Sequence, residues 1–300
     1  MIKLLTEKIG VAILLAVAIL TGFGLIMDDS SVTAIAKLVL LLLEGLLLNY
    51  LCLRFGILSI KTNLPLVLFC ALTALVVPQL TIGSIVYGAI FIGALFLALE
   101  SREYPKRSIS YMIYLGLFLG IAQAFSNTSI LIMLPVFILF AQVGTPRSRH
   151  FILSFTYFSM VIISTSGLLF VMDLEHMIWE LIPSLSFNYS VLNTIVIKLT
   201  IPIILISLAI HILSLNNYRF RYPNKSIVFN YTMLLQLACS ILLVTLTAEL
   251  DILMYAIMTA SILLSFVFGY KQDNTFINSA FASLISMCMM SLFFYKVLIL

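Results

Sequence analysis

Long apolar stretches follow one another along almost the whole chain, and only short polar segments separate them. A helix that crosses a membrane needs about 20 apolar residues, with a range of roughly 17–25. Eleven stretches have about this length, and they cover residues 9–27, 33–53, 64–80, 82–99, 109–125, 128–143, 151–172, 190–213, 227–248, 252–269 and 276–298. None shows the alternation of a strand, and an open sheet cannot span lipid.

Composition leads to the same fold class. Of the 300 residues 63% are hydrophobic and 9% are charged, whereas a soluble domain is typically about 45–50% apolar and about 25% charged. A water-soluble fold could not hide so much apolar surface. We therefore predict an all-α, polytopic transmembrane bundle that occupies residues 1–300 as a single domain, with no appended soluble domain. This class excludes soluble enzymes and nucleic-acid-binding proteins.

The charges of the gaps predict the orientation. If the N-terminus is cytoplasmic, 13 of the 16 basic residues fall in inner gaps, namely Lys3, Lys8, Arg54, Lys61, Arg102, Lys106, Arg107, Arg147, Arg149, Arg219, Arg221, Lys225 and Lys271. Seven of the twelve acidic residues fall in outer gaps that contain no basic residue, namely Asp28, Asp29, Asp173, Glu175, Glu180, Glu249 and Asp251. This asymmetry follows the positive-inside rule. It predicts eleven spans in the bacterial cytoplasmic (inner) membrane, with an external C-terminus.

Three charged residues inside the predicted spans are candidates for a substrate-binding site. A charge at the centre of a bilayer costs about 2.5–3.5 kcal/mol even on the mildest scale, so such residues tend to be functional. Glu44 and Lys198 both fall near mid-depth and could pair. Lys37 precedes Glu44 by seven residues, which puts both on one helix face. We expect this face to point at protein or water. The alternative is a structural pair, or two neutral groups that are each hydrogen-bonded nearby.

Acidic residues at the predicted outer surface form a second candidate site. Asp28 and Asp29 follow the first span, and as a carboxylate pair they could bind a divalent metal ion or act as a general base. The alternative is a helix cap that starts the second span. His176 lies in a predicted amphipathic segment of the longest outer gap and could add an acid–base group. No cofactor other than this divalent metal is implied.

One part of the chain resembles a family of uncharacterised bacterial integral-membrane proteins. The resemblance lies in Leu48-Asn49-Tyr50, the turn at 58–63, the turn at Pro78, residues 95–102 and Gly120-Ile-Ala-Gln-Ala-Phe125. It covers roughly a third of the chain, and it implies a multi-spanning fold without assigning an activity.

Residues 116–142 also resemble the paired middle helices of the GT-C class, the multi-spanning glycosyltransferases that use polyprenyl-phosphate sugars. The similar features are Gly116-Leu-Phe-Leu-Gly120, then Leu134-Pro135, then a basic inner loop. The resemblance implies catalytic roles for Asp28 or Asp29, with His176 in a covering loop and with Lys37 and Lys198 holding phosphate. The chain differs from the class in its very short first outer loop.

Three functions are therefore predicted. The first is a glycosyltransferase-like protein that acts on a polyprenyl-phosphate-linked sugar at the outer face of the membrane. The second is a transporter or flippase that uses Glu44 and Lys198 as coupling charges. The third is a non-catalytic subunit of an envelope assembly machine, which a lipid-facing Lys37 would favour. Membrane lipids are the expected partners in all three, and no nucleic acid is.

Overall fold

The computed structural model describes residues 2–26, 32–58, 61–74, 82–125, 129–144, 148–174, 177–178, 224–247, 252–270, 275 and 277–286. Helices dominate these residues, and no strand occurs among them. The helices are α1 (Ile2–Glu7), α2 (Ile9–Ile26), α3 (Val32–Arg54), α4 (Leu64–Ala74), α5 (Ile82–Glu103), α6 (Ser108–Phe125), α7 (Ser129–Val143), α8 (Ser148–Val171), α9 (Asn224–Thr247), α10 (Leu253–Tyr270) and α11 (Ile277–Ser286). A single 3-10 turn, Pro105–Arg107, joins α5 to α6. The predicted all-α class is therefore confirmed.

Two helices form the centre of the bundle. Every residue of α4 is buried, and so is α10 from Leu253 to Gly269. Helix α4 packs against α2, α3 and α10, while α10 also packs against α5 and α9. Both helices are predominantly apolar all round, as is typical of a helix enclosed by other helices, and their few polar side chains are buried. The rings of Phe91 on α5 and Tyr255 on α10 meet edge to face, with 4.8 Å between centroids.

Residues in or next to predicted inner gaps meet at one end of the bundle. Asn49 donates to Asn63 Oδ1 (3.0 Å), and Asn63 in turn donates to the carbonyl oxygen of Leu5 (3.1 Å). The backbone N–H of Ile2 donates to Asn278 Oδ1 (3.2 Å). These bonds join α1, α3, the start of α4 and α11 at the end where the sequence predicts the cytoplasmic side, and below we call it the basic end.

Helix α8 lies at the edge of the described bundle. Its main neighbour is α6, and the contact depends on Gly116 and Gly120. A β-carbon at Gly116 would overlap the carbonyl oxygen of Ser154, and one at Gly120 would lie 2.7 Å from Val161 Cβ. Small residues four apart let two helices approach closely in a membrane. Most of the remaining surface of α8 is exposed.

Three of the described helices are long and apolar enough to cross a membrane, over Ile35–Arg54, Ile85–Glu103 and Arg149–Val171. Six shorter apolar helical stretches accompany them: Ile9–Thr21, Leu64–Ala74, Ile130–Val143, Val228–Val244, Leu253–Gly269 and Ile277–Ser286. The count of eleven spans and the orientation of the termini remain predictions.

Candidate functional site

The strongest candidate site is centred on Glu44 in helix α3. The buried side of this helix carries Leu41, Glu44, Leu48 and Cys52, while Leu43 on the opposite side is half exposed. Glu44 itself is 6% exposed, although it is an acid among leucines. The side chain of Glu44 therefore lies against other helices, while the prediction that the whole face with Lys37 points at protein or water stays a prediction.

The carboxyl group of Glu44 lies against the backbone of helix α5. A β-carbon built on Gly88 would stand 2.5 Å from Glu44 Oε2 and 2.6 Å from Oε1. A side chain at this position would displace the carboxyl group of Glu44 from where it lies. The neighbouring Gly45 has the same role towards α4, because a β-carbon there would be 2.9 Å from Phe69 Cδ1. The site therefore exists because two glycines let three helices close around one acidic side chain.

Neither carboxyl oxygen of Glu44 has a hydrogen-bond partner among the described residues, and both oxygens are buried. An unpaired carboxylate in apolar surroundings is so costly that such a group either takes up a proton or meets a cation. Glu44 lies at the middle of the candidate span Ile35–Arg54. Ten residues separate Glu44 from Arg54, which is about 15 Å along the axis, or half of a hydrocarbon core of about 30 Å. A buried acid in the middle of such a span, with no hydrogen-bond partner among the described residues, can bind and release a proton or a cation.

The other predicted site residues divide into two groups. Lys37 lies on the same helix as Glu44 and is half buried. Because seven residues separate it from Glu44, the two lie about 10 Å apart along the helix axis. Asp28, Asp29, His176 and Lys198 lie outside the described residues, so the acidic outer site and the pairing of Glu44 with Lys198 stay predictions. Within the described ranges, no group of three or more His, Cys, Asp or Glu residues could hold a metal ion.

An ion pair at the basic end was missed by the sequence analysis. Arg54 Nη2 donates to Glu100 Oε1 (2.5 Å), and Tyr111 donates to Glu100 Oε2 (3.4 Å). The guanidinium of Arg54 also lies over the rings of Phe55 and Phe96, at 5.0 and 5.8 Å from their centroids. Arg54 and Glu100 directly follow the predicted spans 33–53 and 82–99, which both end on the predicted inner side. This pattern puts the two charges at the same end but gives no reason for them to touch.

A second missed feature is a chain of polar side chains in the core. Gln236 on α9 donates to the carbonyl oxygen of Pro135 on α7 (2.7 Å) and accepts from the Tyr255 hydroxyl on α10 (2.9 Å). Both of these hydrogen bonds join one helix to another, and Gln236 and Tyr255 are fully buried, so neither side chain can bond to solvent instead. The sequence signal for this contact was a glutamine within a long apolar segment, because the amide of such a side chain must find a hydrogen-bond partner on another helix.

We compared the chain with models of protein families, with curated proteins and with solved structures, and none of them matches it.

Proposed function

We propose that the chain is a multi-pass carrier of the bacterial cytoplasmic membrane, a transporter or flippase in which Glu44 is the coupling group. The single observation that supports this function is the buried carboxyl group of Glu44, which has no hydrogen-bond partner among the described residues and lies against Gly88.

The energetics of this position favour a functional role over a structural one. A carboxyl group inside hydrocarbon destabilises a helix, whereas an apolar side chain of similar size would pack there at no such cost. A structural acid would be expected to have fixed donors, like those that Glu100 receives from Arg54 and Tyr111. Glu44 has no such donors among the described residues. Its charge can therefore change whenever a proton or a cation arrives.

This change of charge is what couples ion movement to transport. In the neutral form, Glu44 is compatible with the closed packing of α3, α4 and α5. After a proton leaves, the carboxylate needs a compensating cation, which a substrate or Lys198 would supply. The two charge states thus stabilise different arrangements of the helices around the site, and an ion gradient can bias the equilibrium between them.

Charge movement in proteoliposomes tests this function. The purified protein is adsorbed on a solid-supported membrane, and a pH step is applied. We expect a transient current in the wild type and its loss in Glu44→Gln. Glu103→Gln is the matched control, because Glu103 is an exposed acid at the end of α5 and its loss should leave the current unchanged. An equal current in folded Glu44→Gln would contradict the carrier.

Should Glu44→Gln fail to fold, a second measurement keeps the proposal testable. A hydrophobic carbodiimide reacts with protonated carboxyl groups in apolar surroundings and forms an acylurea. We expect peptide mapping of the wild type to find the adduct at Glu44 and to find less of it at high pH. No adduct at Glu44 at any pH would contradict the proposal.

The two other predicted functions receive less support. Asp28, Asp29 and His176, which the glycosyltransferase needs, lie outside the described residues, so this function stays a prediction. A lipid-facing Lys37 would favour the non-catalytic subunit. This side chain is half buried in the structure, so it does not provide that support.

A further inference from the structure

An apolar groove runs between α5 and α6 on the outside of the bundle. It has a volume of about 370 Å³ and is lined by Gly93, Phe96, Leu97, Tyr114, Leu117, Phe118 and Ile121. A β-carbon on Gly93 would lie 2.8 Å from the ring of Phe118, so this glycine lets the ring lie against α5 and form the floor. Cavities that hold small organic ligands start at about 300 Å³.

The groove runs along α6 towards the basic end. Its lining residues on this helix extend from Tyr114 to Ile121, which is about 10 Å along the axis. Six further residues, or about 9 Å, separate Tyr114 from Ser108, where the chain turns from α5 into α6. The two distances together are somewhat more than the ~15 Å of hydrocarbon in one leaflet, so an acyl chain in the groove would have its head group at this turn.

Positive charge surrounds that end of the groove. Arg54 lies over Phe96, one of the lining residues. Arg107 lies near the Tyr111 hydroxyl and 6.0 Å from the ring centroid of Tyr104, and the neighbouring Lys106 is exposed. Arg102 is a fourth cation at this end of α5, and the acids here are Glu100, which is bonded to Arg54, and the exposed Glu103. Four cations against two acids leave the end of the groove positive, and basic pockets between membrane helices bind anionic lipid head groups.

We infer that this groove is a binding site for an anionic glycerophospholipid. One acyl chain lies along Phe96, Leu117 and Phe118, and the phosphate lies at Lys106 and Arg107. A zwitterionic lipid can also place its acyl chains in the groove, but its head group has no net charge, so Lys106 and Arg107 add less to its binding free energy. The site is thus selective for the head group and is separate from the Glu44 site, so it stands whether or not the chain is a carrier.

Fluorescence quenching by brominated lipid tests this site in the full chain. The only tryptophan, Trp179, is changed to phenylalanine, and Tyr114→Trp puts a reporter at the half-exposed edge of the groove. The protein is reconstituted in phosphatidylcholine vesicles that contain either dibromo-phosphatidylglycerol or dibromo-phosphatidylcholine. We expect the anionic lipid to be preferred, by about fivefold for each cation that contacts the head group.

The charge variants decide whether the cations cause the preference. Lys106→Gln with Arg107→Gln should bring the preference close to one. Lys8→Gln with Lys61→Gln is the matched control, because it removes two exposed cations at the same end, next to helices that do not pack against α6, and it should keep the preference. Equal quenching by the two lipids in the reporter protein would overturn the proposal, and so would an unchanged preference in the Lys106 and Arg107 variant.

Native mass spectrometry of the chain without the reporter substitutions gives an independent measurement. The wild type should retain phosphatidylglycerol through detergent removal in the gas phase, while the Lys106 and Arg107 variant should retain markedly less. Equal retention by the two proteins would count against the site even if the reporter variant does not fold.

Discussion

The carboxyl group of Glu44 occupies the space that a side chain on Gly88 would need. A β-carbon on Gly88 would lie 2.5 and 2.6 Å from the two carboxyl oxygens. Helices α3 and α5 therefore meet at one small volume, which the Glu44 carboxyl group fills because Gly88 has no side chain. This relationship makes the two positions dependent on each other, and several tests follow from it and from the contacts around it.

Gly88→Ala should destabilise the protein through this overlap. Forcing an extra methyl group into a packed core typically costs about 1–3 kcal/mol. Thermal unfolding of the purified protein would measure the loss. Shortening the acid in Glu44→Ala with Gly88→Ala should recover most of it, since the alanine then has room.

Gly10→Ala is the control for this test. The structure describes no atom within 4 Å of a β-carbon at Gly10, so the change should be neutral or should stabilise the helix, by up to about 1 kcal/mol.

The double variant also provides the contradicting outcome. If its loss of stability equals the sum of the losses for Glu44→Ala and Gly88→Ala, the two positions are not in contact.

Arg54→Gln should destabilise the basic end, because it leaves the buried Glu100 carboxylate without its main donor. Hydrogen bonds to charged groups contribute about 1.5–3 kcal/mol, and we expect the lower end since Arg54 is 38% exposed and water screens it. A double-mutant cycle with Glu100→Gln measures the coupling. Arg149→Gln, an exposed arginine at the same end, should change stability by less than about 0.5 kcal/mol. A coupling of zero would mean that the pair does not form.

Substitutions at Gln236 and Tyr255 should have non-additive effects on the stability of the protein. Gln236→Leu removes the bond to Pro135 and leaves the buried Tyr255 hydroxyl without its acceptor. Tyr255→Phe in the same protein removes that stranded group, so the double variant should be less destabilised than the sum of the single ones. The expected coupling is about 0.6–2 kcal/mol for a bond between membrane helices. Denaturant titration in mixed micelles measures it, and additive losses would disprove the bond.

Labelling of introduced cysteines tests the predicted topology. In a background without the native cysteines, Arg147→Cys and Arg221→Cys should react only after the membrane is opened. Glu175→Cys should react with an impermeant reagent from outside. External reaction at position 221 would refute the eleven-span prediction, because one missed span inverts every gap that follows it.

The acidic pair decides whether the glycosyltransferase prediction holds. Asp28→Asn with Asp29→Asn should leave membrane insertion intact and abolish sugar transfer from a polyprenyl-phosphate donor. A pair that only caps a helix would instead cost about 0.5–2 kcal/mol of stability, with function preserved in the protein that folds. Full transfer activity in a well-folded double variant would exclude these residues as the catalytic base.

Helix positions were predictable because a span has a fixed length and a uniform apolar character. The predicted span 33–53 corresponds to Val32–Arg54, and 128–143 corresponds to Ser129–Val143. The short helix Ile2–Glu7 was not predicted, since it is separated from the first span by a single residue and carries charges. The sequence signal that could have revealed it is the pair of apolar residues Ile2 and Leu5, which are three apart as on one helix face, and both are buried in the structure.

The candidate site was only partly predictable. The cost of an intramembrane charge identifies Glu44 from the sequence, because no neighbouring residue is needed for that argument. Gly88 could not be found in this way. Its importance comes from which residue of α3 lies opposite it, and helix pairing is set by tertiary packing rather than by hydropathy. The same reason hides the contacts of Arg54 with Glu100 and of Gln236 with Tyr255.

The sparse packing of α8 has a consequence for how the protein is handled. Its contact with α6 depends on two glycines, and most of its remaining surface is exposed among the described residues, where a membrane would supply lipid. A detergent that removes this lipid therefore weakens α8 before it reaches the enclosed helices α4 and α10. Extraction conditions that preserve native lipids should keep a complete bundle, whereas delipidated preparations should first lose order at the edge while the centre around Glu44 stays folded.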